Sequence, residues 1–199
     1  MQKPAITQAP IHDIIANRWS PRAYDANKAV SQKQIISLLE AARWAPSCFG
    51  DEPWRFVVWD KNQDETAWEK AYDCIVPGNK TWAKDAPVLI LICADTLFSH
   101  NQKPNRWANY DTGAAAVSLC LQATSMGLVT HQMGGFDGEK THAAFGIPEQ
   151  IEMMSMLAVG YAADADTLSD EFKERALAPR KRRPLGELFY DGVWNQPII

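Results

Sequence analysis

The chain reads as one layered domain in which helices alternate with strands, and three stretches carry that reading. Residues 87–94 (PVLILICA) are apolar at almost every position, the pattern of a strand covered on both faces, so layers must lie above and below it. Residues 109–127 contain DTGAAAVSLCLQATSMG, rich in alanine and apolar on nearly every side, as in a central helix packed closely by its neighbours. Residues 54–59 (WRFVVW) join aromatic to β-branched side chains and form a second strand. With 199 residues the chain buries one substantial core, and a second independent domain would be cramped.

The remaining elements follow in order. Pro10 is expected to open a short helix over residues 10–17, with Ile11, Ile14 and Ile15 on one side. Ser31 and Gln34 have the spacing of a capping box and start a stronger helix carrying Ile35, Ile36, Leu38 and Leu39, with Pro46 just beyond its end. Residues 47–53 then form a loop. Residues 65–74 read as a polar-faced helix closed by Pro77 and Gly78, and Gly127 stops the long apolar helix. Residues 128–133 and 156–162 are two more strands, separated by a helix that Asp137 caps and that ends before Pro148. After Tyr161 the composition turns charged, then basic, and residues 188–199 (LFYDGVWNQPII) are aromatic and extended. Such a tail is expected to pack on this chain or on a partner subunit.

The net charge of -4 argues against a protein that coats nucleic acid, where a basic face dominates. The four cysteines, Cys48, Cys74, Cys93 and Cys120, form no close pair of the kind that zinc sites or dithiol motifs need, and read as free, mostly buried thiols. The first residues lack the order of a secretory signal, and no apolar run reaches the length of a membrane span, so a soluble cytoplasmic protein without membrane contact is expected. His12, His100, His131 and His142 have no metal-ligand spacing, and His131 reads as a satisfied core histidine. Asp164, Asp166 and Asp170 begin like a calcium loop, but Leu168 and Ser169 replace a ligand and the turn glycine, which leaves a solvated acidic loop. No metal site is expected.

Basic residues are local devices in this acidic chain. Arg18 and Arg22 flank Ser20 near the start, and Arg180, Lys181, Arg182 and Arg183 run together near the end. Taken singly, the first pair reads as solvated and the second as an exposed patch. If the fold joins them, their natural occupant is a phosphate or another compact anion, because like charges repel without one. Gly134 and Gly135, between a strand and a helix, let a backbone approach a ligand closely, although alone they read first as a tight turn.

Taken in order, Arg18-Trp19-Ser20-Pro21-Arg22, Ala45-Pro46-Ser47 leading to Pro53-Trp54-Arg55-Phe56, Asp111-Thr112-Gly113-Ala114-Ala115, Gly134-Gly135-Phe136-Asp137 and Arg180 to Leu185 closely resemble the nitroreductase family of flavin enzymes. The resemblance spans roughly residues 10–190. It implies an α+β fold, a three-layer α/β/α sandwich with a mixed, mainly antiparallel sheet, in a single domain over residues 1–199. It also implies an intertwined homodimer with FMN at the subunit interface, with residues 186–199 as an extension on the same or the partner subunit.

Carried over by position, the resemblance makes Arg18, Trp19, Ser20 and Arg22 the first flavin-binding motif, with Arg22 at the pyrimidine edge of the ring. Arg180 and Arg182 become the second phosphate pair, with Lys181 or Arg183 substituting if the register slips. Pro46, Ser47 and Cys48 reach the flavin of the other subunit, Asn79 and Gln132 place polar groups by the ring, and Gly134 and Gly135 turn backbone toward N5. No side chain is catalytic, because N5 carries the hydride. The implied reaction is a ping-pong transfer from NADH or NADPH to a small acceptor such as a nitroaromatic or a quinone. Relatives that act as dehalogenases, flavin-fragmenting enzymes or enone and aldehyde reductases remain alternatives, as does non-catalytic flavin binding. Many relatives carry asparagine and glutamine where this chain has Gly50 and Glu52, and a basic residue where it has Trp82.

Overall fold

A computed structural model describes residues 3–199. Its centre is a four-stranded sheet in the order β1 (Trp54–Asp60), β2 (Val88–Asp95), β4 (Ile151–Gly160), β3 (Val129–Met133), and every pairing in it is antiparallel. β2 lies inside, paired with Val57 and its neighbours on one side and with Leu157 and its neighbours on the other. That position explains its unbroken apolar sequence.

Alternate side chains of β2 enter two different cores. Val88, Ile90 and Ile92 pack with Ile35 and Leu38 of α2 (Gln32–Arg43) and with Leu119 of α5 (Ala108–Ser125). Leu89, Leu91 and Cys93 face Trp68 of α3 (Glu65–Asp73) and Trp82 of α4 (Pro77–Ala83). Helices therefore cover both faces, and the three layers expected from the family resemblance are present. Residues 87–94 and 109–127 owe their composition to the middle layer and the helix nearest it.

Local signals are realised at most element ends. Ser31 Oγ accepts from the Gln34 amide at 3.3 Å while Gln34 Oε1 accepts from the Ser31 amide at 3.0 Å, completing the capping box of α2. Asp137 caps α6 (Gly138–Phe145), which ends at Gly146 in the left-handed region with φ 63°. Gly127, with φ 72°, ends the turn after α5.

Four expectations need correction. α1 (Asp13–Asn17) begins at His12 rather than Pro10, because the His12 carbonyl accepts the amides of Ile15 and Ala16 and its ring accepts from Ile14. Pro77 and Gly78 open α4 instead of only closing α3: a proline at the first helical position gives up an amide that would have no partner there anyway. β4 starts at Ile151, five residues before the apolar run from Met156, since its first half pairs with the end of β2 beyond the deep core. The charged segment after Asp164 is helical rather than a loop, with a short turn over Ala165–Thr167 and then α7 (Asp170–Leu177). Asp164 and Asp166 serve that geometry: one caps the turn and the other pairs with Lys173 at 2.5 Å.

The tail folds back on itself, with Tyr190 bridging Pro197 and the Ile198 amide donating to Phe189. Its apolar side chains stay outside, Trp194 being 81% exposed. The four cysteines are free thiols, and all but Cys48 are buried. Among the described residues, no helix is long and apolar enough to cross a membrane.

Candidate functional site

The two basic stretches meet. Arg18, Trp19, Ser20 and Arg22 line one cavity of about 260 Å³ together with Arg180 and Arg182. The route is short: the segment after α1 carries the first stretch past the end of α7, and the chain leaving α7 brings the second. Arg180 Nη1 donates to the carbonyls of Ala16 at 2.8 Å and Lys3 at 2.7 Å, tying the far end of the chain to α1. Lys3 and Arg175 line the same cavity, and neither was found by sequence reasoning. Both stand outside the basic stretches, and only the folded chain brings them in.

No acidic side chain lines this cavity among the described residues. Arg175 is paired with Glu171 at 2.7 Å, whereas Arg18, Arg180 and Arg182 donate to a hydroxyl or to backbone carbonyls. Burial, followed by the charges of Arg18 and Arg182, lowers the pKa of Arg180; burial, followed by the charge of Arg175, does the same to Arg22. Burial is the larger cause for both arginines, and the neighbouring guanidinium charges add to it.

Arg22 lines this cavity from its partly buried side. Its guanidinium lies between aromatic rings, 5.8 Å from the centre of Trp82 and 5.3 Å from that of Phe172. Its Nε is buried and has no partner, an orphaned donor of the kind that calls for a ligand. Trp82 is only 1% exposed and stacks with Tyr24, which gives Arg22 a rigid aromatic support.

One helical turn before Trp82, Asn79 and Gly135 are brought together. The Asn79 amide and the Val76 backbone amide both donate to the Gly135 carbonyl, at 3.3 and 3.2 Å. A Cβ at Gly135 would sit 2.8 Å from each of those side chains, so the close approach requires glycine. Gly134 lines a second cavity, of about 470 Å³, with Phe136, His142 and Glu152. Gln132, next along β3, spends its side chain on Ser155 at 3.2 Å and on Cys120 at 3.8 Å.

Pro46, Ser47 and Cys48 line neither cavity. Their loop lies at the start of α5, where the Cys48 amide donates to the buried Asp111 at 2.9 Å and Ser47 Oγ accepts from Glu52. Phe49 and Glu52 take positive φ, and Phe49 is 85% exposed.

This chain is similar to known proteins over nearly all of its length. It is 36% identical over 118 residues to an uncharacterised 15.4 kDa protein of Mycolicibacterium smegmatis, covering 59% of this chain and 78% of that one. A Methanothermobacter thermautotrophicus protein, provisionally named an NADH dehydrogenase/NAD(P)H nitroreductase, is 29% identical over 84% of this chain and 85% of its own. A solved structure described as an oxidoreductase containing FMN superposes with a TM-score of 0.90 at 31% identity, covering 96% of each chain. Residues 15–161 match the nitroreductase family, and with the sandwich and its paired basic ends on the same chain, this protein belongs to that family of oxidoreductases.

Proposed function

We propose that the protein is an FMN-dependent oxidoreductase that takes hydride from NADH or NADPH and passes it to a small electrophilic acceptor, such as a nitroaromatic or a quinone, in a ping-pong cycle. The observation that carries this reading is a cavity lined by Arg18, Arg22, Arg180 and Arg182 and, among the described residues, by no carboxylate. The donor set fits FMN: guanidinium forks suit a phosphate, and the unpartnered Nε of Arg22 needs an acceptor. Bound FMN supplies two-electron hydride chemistry at N5, which no side chain here provides.

The residues then have separate tasks. Arg18, Ser20, Arg180 and Arg182 hold the phosphate, with Trp19 packed beside them. Arg22 would hold positive charge at the pyrimidine edge of bound FMN, where negative charge accumulates on reduction. Asn79 fixes the carbonyl of Gly135, and the Gly134–Gly135 turn would offer its backbone to N5 of bound FMN without the bulk that would block a stacked nicotinamide. Gln132, expected beside the ring, lines neither cavity and has its side chain committed to Ser155 and Cys120, so it is given no contact with the flavin.

Pro46, Ser47 and Cys48 lie outside the cavities of their own chain and are assigned to the flavin of a second subunit. A homodimer is further supported by large apolar side chains left exposed around that loop and the tail, Phe49, Tyr110 and Trp194 among them. The four free thiols and a nicotinamide donor fit a cytoplasmic enzyme.

The visible absorption spectrum tests the reading. Purified or FMN-reconstituted protein is expected to be yellow and to bleach when NADH or NADPH is added without oxygen. Protein that takes up no flavin, or flavin reduced no faster than free FMN, contradicts it.

A further inference from the structure

We propose that Lys3 is a direct ligand of the anionic group in the cationic cavity, and that the N-terminal arm bearing it is the clasp that sets Arg180 in place. The inference rests on the flavin reading for the identity of that group, the FMN phosphate. The arm lies between the two basic stretches. The Ala5 amide donates to the Ala16 carbonyl at 2.8 Å, and Arg180 Nη1 donates to that same carbonyl and to the carbonyl of Lys3. Both hydrogens of Nη1 are thereby committed to neutral acceptors, while the remaining donors of Arg180 stay available to a ligand.

Lys3 itself lines the cavity. Its ammonium donates to the carbonyls of Ala176, at 2.6 Å, and Ala178, at the C-terminal end of α7. An ammonium has three N–H groups, so one remains uncommitted. The carbonyls that hold it are neutral, and no carboxylate cancels its charge among the described residues. Burial, followed by the charge of Arg180, lowers its pKa. A cation at the end of α7 also suits the negative end of that helix, and α7 is the element that lays Phe172 over Arg22. Lys3 is therefore placed to add charge to the phosphate end of the site.

Two flavins and one inorganic anion separate these roles. Lys3→Met keeps the apolar stem, which runs beside Trp19 with the ammonium 5.1 Å from the ring centre, and removes only the charge and its donors. FMN and riboflavin differ by the phosphate alone, so fluorescence titration of each into flavin-free protein reads the phosphate contact by difference. Lys3→Met is expected to weaken FMN binding about tenfold and leave riboflavin binding unchanged, with Lys3→Arg restoring most of the loss. Inorganic phosphate is expected to raise the melting temperature of the wild type more than that of Lys3→Met. Equal loss for both flavins, or no loss for FMN, overturns the direct contact. If the wild type binds neither flavin while the phosphate difference persists, the cofactor reading fails and the anion ligand stands.

Discussion

His131 Nδ1 lies 2.9 Å from the carbonyl of Pro21, joining β3 to the first basic stretch. A carbonyl only accepts, so the proton sits on Nδ1. Pro21 stands between Ser20 and Arg22, and one bond from the sheet thus sets two side chains of the cationic cavity. The imidazole packs against Trp82 at a centroid distance of 4.6 Å, which places it behind the same aromatic floor that carries Arg22.

That environment makes His131 a source of pH-dependent stability. Burial, its main cause, pulls the His131 pKa from 6.5 down to about 4, and the Arg22 charge acts in the same direction against the pull of the Pro21 carbonyl. Between those two values the unfolded chain binds a proton that the folded chain does not. The contribution is therefore complete above pH 6.5 and is lost as pH falls toward 4. We expect a loss on the order of 3 kcal/mol over that range, read as the wild-type melting temperature falling more steeply than that of His131→Gln, whose amide still donates to Pro21 but does not titrate. Parallel slopes would contradict it.

Much of this architecture is legible in short stretches of sequence, and the exceptions share a cause. The capping box at Ser31, the cap at Asp137 and the doubly buried run over residues 87–94 are local or single-strand signals, and each is realised. Pro77 misleads when read alone because proline both ends one helix and starts the next, and the contact of Val76 and Asn79 with Gly135 accompanies its role as the start of α4. α7 lacks a broad apolar stripe, since it buries little beyond Ala176 and leans Phe172 on Arg22. In the site, the family resemblance singled out Arg18, Arg22, Arg180 and Arg182, and the structure brings them to one cavity. Lys3 and Arg175 have no local mark, because their role depends on where an arm and a helix end come to rest.

Ser31→Ala removes the acceptor for the Gln34 amide and one half of the reciprocal cap. Loss of a cap of this kind costs about 1 kcal/mol. Gln34 also donates to the Tyr161 hydroxyl at 2.9 Å, so α2 is tied to the end of the sheet through the same residue. Chemical denaturation of Ser31→Ala should show a lower midpoint with an unchanged slope, and flavin uptake should be unaffected.

Gly135→Ala tests the turn. The new methyl group meets Asn79 Nδ2 and Val76 Cγ2 at 2.8 Å, and the first residues of α4 must retreat from the Gly135 carbonyl to admit it. Overpacking of this size costs about 1–3 kcal/mol. Gly134→Ala adds its methyl group to open space and should leave stability nearly unchanged. A comparison of the two melting curves checks this, and equal losses would show that Gly135 is under no special constraint.

Arg22→Gln separates holding a flavin from tuning it. The phosphate end keeps Arg18, Arg180 and Arg182, so FMN should still bind. The positive charge at the far end of the cavity is lost, and with it the preferential stabilisation of a reduced, negatively charged ring. If that preference is worth about 1.4 kcal/mol, the two-electron midpoint potential falls by about 30 mV, and anaerobic reduction by NADH or NADPH slows in step. Glutamine also vacates the space between Trp82 and Phe172, so the melting temperature should be recorded alongside. A variant that is less stable yet has an unchanged potential would make Arg22 a packing residue of the aromatic floor and remove it from the redox role.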